Sequence, residues 1–315
     1  MELLFFKPLL KSRIWGGQKL ASHFNRTLPA NEKIGESWEI VDRPEDQSIV
    51  TNGSFAGMSL KALLNQYGAK ILGPNYKEGN PFPILIKWLD CKETLSVQVH
   101  PNPNKDQNLQ DEPKTENWYV VDHEQDAKIY LGLREGVTKA DFTQALDENS
   151  IPTLLNTIET NKGDSFLIKS GVVHAIGAGH LILEVQQNSD TTYRVYDWNR
   201  NGLDGKPRAL HRNESLKSID FNNPKVAPER LQGASLILAD TEYFRITAYE
   251  KSPEDVPLQL PSHESARIIH VIEGCLENTS TQQTVQAGDN VLQAFVSETK
   301  LKAITPTRFL ITDKF

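Results

Sequence analysis

The sequence predicts a mainly β protein of two β-barrel or jelly-roll domains, with a small helical insertion in the first domain. Short apolar or alternating segments recur along the chain between Gly, Pro, Asn and Asp residues, which is typical of strands joined by turns. A turn-and-strand unit also occurs twice, as Lys-Gly-Asp-Ser-Phe-Leu at 162–167 and Ala-Gly-Asp-Asn-Val-Leu at 287–292. The repetition indicates two related β domains.

The composition excludes several classes of protein. The chain has 315 residues, 24% of them charged, which suits a globular protein rather than a disordered one. Its net charge is −7 and no basic run is present, so we expect no nucleic acid partner. No apolar run approaches the length needed to span a membrane. Only two cysteines occur, and no signal peptide is recognisable, so we expect a cytoplasmic protein.

The first part of the chain mixes short strands with one helix. Residues 1–56 have the pattern of strands and turns. Ser59 precedes an amphipathic segment over 60–67, so it is the expected N-cap of a short helix that ends near Gly68. The following apolar segment contains Lys87, which must lie either at a sheet edge or in a cleft.

The segment Ser-Val-Gln-Val-His at 96–100 is the centre of the functional interpretation. Side chains of a strand alternate between its two faces, so Ser96, Gln98 and His100 share one polar face opposite the valines. A single His before a Pro is most often a surface residue. A second His, His174, ends a later strand, and Glu116 begins another after a long loop. Imidazole, amide and carboxylate donors together match the ligands that Zn²⁺ and related ions accept.

The β pattern is interrupted twice before residue 160. A polar, turn-rich loop is expected over 101–112. Helical segments are expected over 138–160, where Thr138 and Asp141 resemble a capping box and Pro152 stands near the start of a second turn. We interpret these helices as an insertion beside a β core.

A further strand is expected over 189–198, from its Thr, Tyr and Val content. On a regular strand Asp190 and Arg194 share a face, opposite Tyr193 and Val195. An Arg in a cleft needs an anion, which is either a substrate group or simply Asp190 in a structural ion pair.

A loop-rich segment over 199–235 predicts the domain boundary, with a catalytic domain at 1–235 and a second, metal-free β domain at 236–315. The second copy of the repeated unit has no His in the place of His174. His263 and His270 are therefore interpreted as structural. This domain is expected to stabilise the first, to cover the cleft or to form a dimer face, so the chain is a monomer or a homodimer.

The segments around Gln98 and His100, Lys114-Thr-Glu116, and the stretch from His174 through Glu184 to Ser189-Asp190 and Arg194 resemble the short bacterial type I mannose-6-phosphate isomerases, zinc enzymes of the cupin superfamily. The resemblance spans nearly the whole chain. It implies a fold of cupin-like domains.

The resemblance also implies a role for each site residue. One zinc ion per chain is expected on Gln98, His100, Glu116 and His174. Arg194 is the expected catalytic arginine, and the expected cleft residues are Lys87, Ser96, Lys114 and Asp190. Two positions depart from the family. Pro113 replaces a His that often precedes the Lys of Lys-x-Glu, and Thr191 replaces an Asn of the long-form enzymes.

The expected reaction interconverts mannose 6-phosphate and fructose 6-phosphate through a cis-enediol, with Asp190 as the candidate base. A guanidinium stays protonated, so Arg194 is expected to stabilise an oxyanion or to bind the phosphate. Two alternatives remain at this stage. One is a non-catalytic sugar-phosphate-binding cupin, and the other is an iron-dependent cupin oxygenase.

Overall fold

The fold is mainly β, as predicted, in a computed structural model that describes residues 1–103, 111–222 and 224–315. Residues 104–110 of the expected polar loop lie outside the described residues. The strands are β1 Leu9–Gly17, β2 Ile34–Ile40, β3 Ile84–Cys91, β4 Val97–Val99, β5 Glu116–His123, β6 Lys128–Leu133, β7 Leu155–Glu159, β8 Asp164–Ile168, β9 His174–Ile176, β10 His180–Gln187, β11 Tyr193–Tyr196, β12 Glu229–Arg230, β13 Ser235–Asp240, β14 Arg245–Lys251, β15 Leu258–Leu260, β16 Arg267–Glu273, β17 Cys275–Asn278, β18 Gln283–Gln286, β19 Asn290–Gln293, β20 Thr299–Ala303 and β21 Thr307–Asp313. The helices are α1 Lys19–Phe24, α2 Leu60–Ile71, α3 Lys139–Asp147 and α4 Arg212–Ser218, with 3-10 turns at Gly53–Phe55 and Ile151–Leu154.

The chain packs into two compact units, and these do not follow the expected division at residue 235. One unit contains Leu10–Ser37 and Lys87–Pro228. The other contains Met1–Leu9, Trp38–Ile86 and Glu229–Phe315. Two early segments thus belong with the C-terminal part of the chain. The assignment of catalysis to residues 1–235, and of a metal-free role to 236–315, stays a prediction. No helix of the described ranges is long and apolar enough to cross a membrane.

In the unit with the predicted site, two sheets face each other across a core. Strands of one sheet follow the order β1-β2-β3-β10-β5-β8, and those of the other follow β11-β4-β9-β6-β7. Trp118 and Phe166 of the first sheet pack with Ile129 and Ile176 of the second. Strands β5 and β9 supply apolar side chains to this core, and polar residues at the ends of β4, β5 and β9 come together beside it.

Helices α3 and α4 belong to this unit and cover the outer face of its smaller sheet. Phe142 of α3 shares a buried cluster with Val97 and Val99 of β4. Helix α3 starts with the predicted capping box, in which Thr138 Oγ1 accepts from Asp141 N at 3.2 Å and Thr138 N donates to the Asp141 carboxylate at 2.8 Å. The insertion expected over 138–160 also contains strand β7, so it is less helical than predicted.

The other unit also consists of two sheets, β13-β14-β21-β16-β19 and β15-β20-β17-β18. Ile269 and Phe309 of the first sheet pack with Leu276 and Leu301 of the second. Ser59 caps helix α2 as predicted, since its Oγ accepts from Ala62 N at 3.2 Å.

The helix in this unit is longer than predicted. Helix α2 passes Gly68 and runs to Ile71, although Tyr67 departs from helical geometry.

The repeated Gly-Asp unit has the same local structure in both of its copies. Gly163 and Gly288 have φ of 87° and 92°, a conformation that favours glycine. Asp164 accepts from Asn161 N at 2.7 Å, and Asp289 accepts from Gln286 N at 2.8 Å. Each turn leads into a buried strand, β8 or β19. The sequence repeat is therefore a repeat of turn geometry.

Candidate active site and metal centre

Strand β4 has the alternation that the sequence predicts. Its two valines are buried against the helices, and Gln98 points to the opposite face. Gln98 pairs in register with His174 of β9 on one side and with Arg194 of β11 on the other. Directly opposed residues of paired strands extend to the same face. Arg194, Gln98 and His174 therefore form one row across three strands.

The facing sheet supplies a carboxylate to this row. Glu116 begins β5 and is fully buried. Its Oε2 lies 3.5 Å from His100 Nε2, and its Oε1 lies 3.4 Å from His174 Nε2. The ligand atoms of these three residues lie within 4.8 Å of one another. Two imidazoles and one carboxylate thus converge on one small volume.

Backbone carbonyls fix the tautomer of both histidines. His100 Nδ1 lies 3.0 Å from the Thr191 carbonyl, and His174 Nδ1 lies 2.8 Å from the Val172 carbonyl. Because a carbonyl only accepts, each Nδ1 carries the proton and each Nε2 keeps its lone pair. Neither Nε2 has a hydrogen-bond partner in the described part of the chain. Orienting bonds of this kind are typical of metal-bound histidines.

The charge state of the cluster also suits a cation. Burial and the nearby Lys114 ammonium lower the pKa of His100 to about 3, and burial lowers the pKa of His174. Both rings are therefore neutral near pH 7. Burial alone raises the pKa of Glu116, but the Lys114 ammonium outweighs it and holds that pKa well below its usual range. Two neutral imidazoles and one carboxylate fit Zn²⁺ or a similar divalent ion.

Two buried lysines and a second buried glutamate adjoin the cluster. Lys114 Nζ lies 2.6 Å from Glu116 Oε2 and 3.5 Å from Glu184 Oε1. Lys87 Nζ lies 3.6 Å from the same Glu184 oxygen. Trp118 Nε1 donates to the other oxygen, Glu184 Oε2, at 3.0 Å. Glu184 therefore holds both lysines in place, and Lys87 lies in a cleft rather than at an edge.

A cavity of about 600 Å³ opens beside the cluster. Most of the predicted site residues line it, namely Lys87, Ser96, Gln98, Lys114, Asp190 and Arg194. The other three, His100, Glu116 and His174, form the buried cluster. The structure thus brings all nine predicted residues into one region. A volume of this size accommodates a small metabolite.

Asp190 does not lie on the strand that the sequence predicts. The strand expected from residue 189 begins only at Tyr193, because Ser189 turns the chain through a bond from its N–H to the Gln187 carbonyl at 2.7 Å. Asp190 is exposed at the cavity wall and, among the described residues, forms no ion pair with Arg194. Arg194 Nη1 instead donates to the Ala209 carbonyl at 2.9 Å. The prediction that Asp190 and Arg194 share one face of a strand is therefore wrong, although both side chains reach the cavity.

The sequence interpretation gave no role to Glu184 or Arg208. Glu184 stands inside a fully buried stretch of β10, and a charged residue in so apolar a strand was an available signal. Arg208 follows a turn-rich loop, where no periodic pattern marks it. Both residues line the cavity.

A mainly β fold with a buried two-histidine, one-carboxylate cluster beside a polar cavity defines a cupin-like enzyme with a candidate metal site. The family model described as phosphomannose isomerase type I, catalytic domain, matches residues 3–145. Mannose-6-phosphate isomerase ManA of Bacillus subtilis is 42% identical over 281 residues, 87% of this chain and 86% of that protein. A mannose-6-phosphate isomerase of Streptococcus mutans is 36% identical over 256 residues, 80% of this chain and 79% of that protein. The chain belongs to the type I mannose-6-phosphate isomerase family.

A solved structure extends the likeness to the whole fold. The mannose 6-phosphate isomerase from Bacillus subtilis has a TM-score of 0.85 and 29% sequence identity to this chain, and the match covers 99% of both chains. The resemblance inferred from the sequence is confirmed.

Proposed function

We propose that this enzyme is a zinc-dependent isomerase that interconverts mannose 6-phosphate and fructose 6-phosphate through a cis-enediol. The observation that carries the proposal is the buried cluster of His100, Glu116 and His174 beside a cavity lined by lysine and arginine side chains. Relatives that span most of the chain are named for this reaction.

Gln98, His100, Glu116 and His174 are the proposed ligands of one zinc ion per chain. Support for the two histidines and the glutamate comes from their buried ligand atoms, and support for Gln98 comes from its register with His174. When bound, zinc supplies Lewis acidity that favours negative charge on the sugar oxygens at C1 and C2.

The chain's own groups then move a proton from C2 to C1. Asp190 is the proposed base, because its exposed carboxylate stands at the cavity wall and needs no desolvated ion pair to be broken before it accepts the proton. Arg194 stays protonated and acts as a donor to the oxyanion that develops in the enediolate. Its Nε is buried without a hydrogen-bond partner in the described ranges, so it is available to an anion.

Lys87 and Lys114 are proposed to bind substrate hydroxyl or carbonyl oxygens, with Ser96 as a further hydrogen-bonding group. Glu184 lies between the two ammonium groups and restricts their positions. Prepositioned donors cost little reorganisation when charge develops on the substrate. For Lys114 the carboxylates of Glu116 and Glu184 outweigh burial and raise its pKa, so this ammonium stays charged.

A cytoplasmic location is proposed with this function. A phosphorylated sugar is an intracellular metabolite, and the cysteines Cys91 and Cys275 are unpaired thiols in the structure. We also propose that the chain acts as a monomer or a homodimer, with a sugar phosphate as its small-molecule partner.

The test is a coupled assay of mannose 6-phosphate conversion, with protein treated with a chelator and then with zinc or iron added back. We expect activity to disappear on chelation and to return with zinc. Activity that persists in metal-free protein contradicts the metal requirement. Restoration by iron alone contradicts the choice of zinc.

The variant Arg194→Gln separates an isomerase from a protein that only binds the sugar phosphate. We expect turnover to fall by about 100-fold or more, as when a group that stabilises an oxyanion is removed. A variant that is folded and keeps full turnover contradicts the proposed role of Arg194.

A further inference from the structure

Two arginines bind one carboxylate at the edge of the cavity, and a third lies close enough to interact with it electrostatically. Arg208 donates to both oxygens of Asp197, from Nε to Oδ2 at 2.7 Å and from Nη2 to Oδ1 at 2.5 Å. Arg200 Nε donates to Asp197 Oδ1 at 3.1 Å. Burial and the positive charge of Arg208 lower the pKa of Arg194, so the third guanidinium belongs to the same electrostatic cluster. We call these three arginines and Asp197 the arginine cluster.

The arginine cluster carries more positive charge than its carboxylate offsets. Three guanidinium groups and one carboxylate leave an excess of two positive charges. Arg200 Nη2 is buried without a hydrogen-bond partner in the part of the chain that the structure describes. Buried donors of this kind require an acceptor. A phosphate monoester brings about −1.5 to −2 charges near pH 7 and several acceptor oxygens.

The other cations of the cavity have carboxylates close to them. Arg13 forms a two-point ion pair with Glu36, at 2.9 and 3.0 Å. Lys87 and Lys114 both face Glu184, and Lys114 also contacts Glu116. The arginine cluster, of which Arg194 and Arg208 line the cavity, is therefore the region beside it where positive charge exceeds negative charge most clearly.

Two further carboxylates line the same cavity. Asp190 and Asp204 are both exposed, so water and salt screen their charges. Asp204 Oδ1 also accepts from Lys206 N at 3.0 Å, which ties that carboxylate to its own turn. Neither residue is bonded to a half-buried guanidinium as Asp197 is.

The arginine cluster lies across strand β11 from the metal ligands. Arg194 is paired with Gln98 on one edge of this strand. On the other edge His211 N donates to the Arg194 carbonyl at 2.8 Å, and Arg194 N donates to His211 Nδ1 at 3.0 Å. These bonds fix the segment that contains Arg208 along the free edge of β11. Gln98, Arg194 and Arg208 line the same cavity.

We propose that Arg208, held by Asp197 and assisted by Arg200, binds the phosphate group of the sugar phosphate. This inference rests on the proposed function, since it assigns one end of that substrate. Arg208 is a specificity residue, because it binds the phosphate and not the reacting carbons. Asp197 occupies the Nε–Nη2 edge of the Arg208 guanidinium, which leaves Nη1 and the second hydrogen of Nη2 to donate to phosphate oxygens.

The test compares Arg208→Gln, Arg208→Lys and a control, Arg212→Gln. Arg212 is also an arginine paired with an aspartate, Asp147, but both side chains of that pair are largely exposed and neither lines the cavity. We expect Arg208→Gln to raise KM for mannose 6-phosphate by about 10- to 100-fold, the loss typical of one charged hydrogen-bonding group, with a smaller change in kcat. Competitive inhibition by inorganic phosphate should weaken by a similar factor. The KM of Arg208→Lys should lie between those of the unmodified enzyme and Arg208→Gln. Arg212→Gln should have the KM and the phosphate inhibition of the unmodified enzyme.

Unchanged KM and unchanged phosphate inhibition in Arg208→Gln overturn the inference and leave the proposed function intact. A fall of about 10- to 100-fold in kcat, with KM and phosphate inhibition both unchanged, also overturns the inference, because that pattern indicates a purely structural role. Zinc-loaded unmodified protein without turnover contradicts the proposed function instead.

Chemical modification of the unmodified protein gives an answer that needs neither turnover nor a folded variant. Phenylglyoxal modifies accessible arginines, and mass spectrometry identifies the modified residue. We expect inorganic phosphate to protect Arg208 and not Arg212. Equal modification of Arg208 with and without phosphate overturns the inference.

Discussion

His174 and His180 are buried imidazoles six residues apart, and their hydrogen bonds give them different capacities. His180 Nδ1 donates to the Gly177 carbonyl at 2.8 Å, and its Nε2 accepts from Thr160 Oγ1 at 2.8 Å. Both of its nitrogens are used. His174 has the same kind of Nδ1 bond, but its Nε2 faces Glu116 with no hydrogen-bond partner in the described chain. The sequence predicted His174 at the end of a strand, whereas in the structure both histidines begin strands, β9 and β10.

This difference predicts that the same substitution lowers zinc affinity at His174 and lowers the stability of the fold at His180. His174→Gln removes a proposed ligand, so we expect zinc affinity to fall by more than about 100-fold, beyond the loss typical of a supporting residue. His180→Gln should keep one zinc per chain and lower the free energy of unfolding by about 1–3 kcal/mol, because it disturbs a buried hydrogen-bonded group. Elemental analysis after dialysis and denaturant unfolding measure the two effects. Equal zinc content in both variants contradicts the assignment of His174.

The positions of single residues were predictable where the residues belong to a periodic sequence pattern. Gln98 and His100 followed from the alternation of a strand, which is a local property of the chain. Asp190 was placed on the wrong element, because the Ser189 turn delays the strand and no residue pattern marked that turn. Arg208 was missed, since its importance comes from Asp197 and from the fold of a loop. Pairings that depend on tertiary structure leave no periodic signal in the sequence.

At the scale of elements, one buried histidine links three strands of the sheet that contains β16. His270 of β16 bonds through Nδ1 to Asn290 Oδ1 of β19 at 2.6 Å, and through Nε2 to Thr312 Oγ1 of β21 at 2.8 Å. Both ring nitrogens are satisfied, which agrees with the structural role expected for His270. Burial lowers the pKa of His270 to about 4. Protonation would give the ring a second donor in place of the acceptor that Thr312 uses.

His270 therefore predicts a loss of stability in acid. The ring has an ordinary pKa of about 6.5 in the unfolded chain. Its contribution is fully present above pH 6.5, and it is lost as the pH falls from 6.5 towards 4, because the unfolded state then binds the proton more readily. The total is at most about 3 kcal/mol. In chelator-treated protein, the difference in unfolding free energy between the unmodified chain and His270→Gln should shrink over this pH range.

The exposed His263 provides the control for that measurement. His263→Asn keeps a residue that tolerates its positive φ of 62°, and it should leave the acid dependence unchanged. A His270→Gln protein with the full acid dependence of the unmodified chain contradicts the assignment of this effect to His270.

Elements were predicted best where local chemistry determines their ends. Ser59 and Thr138 cap helices as expected, because a cap involves only the neighbouring backbone. The Gly163 and Gly288 turns were likewise evident from short sequences. The length of helix α2 was underestimated, since Gly68 was expected to end it and the helix instead continues to Ile71. Intrinsic preference at one residue did not decide where that helix ends.

At the scale of the whole molecule, the composition of the two compact units was not predictable from the sequence. Segment 38–86 belongs with the C-terminal residues, and three unit boundaries fall within or at the ends of strands β1, β2 and β3. Linker composition points to boundaries in loops, so it gives no sign of boundaries that fall inside strands. Periodicity shows that a strand is buried, but it does not show which core buries it.

The metal site should contribute to the stability of the whole chain. Its proposed ligands come from segments far apart in sequence, at Gln98, His100, Glu116 and His174, so an unfolded chain lacks the arranged site. A ligand that binds only the folded state stabilises it by about 2.7 kcal/mol when its free concentration is about 100 times Kd. We therefore expect zinc to raise the Tm of chelator-treated protein by several degrees.

His174→Gln decides whether that rise comes from the predicted cluster. The variant should unfold at nearly the same temperature with and without zinc, whereas His180→Gln should start from a lower Tm and still gain stability when zinc is added. Calorimetry of the three proteins over a range of zinc concentrations measures these differences. An equal rise in His174→Gln means that zinc stabilises the fold from another site, and no rise in the unmodified protein means that His100, Glu116 and His174 do not hold the ion. In either case the buried Nε2 atoms, which the fold leaves without hydrogen bonds, need another partner.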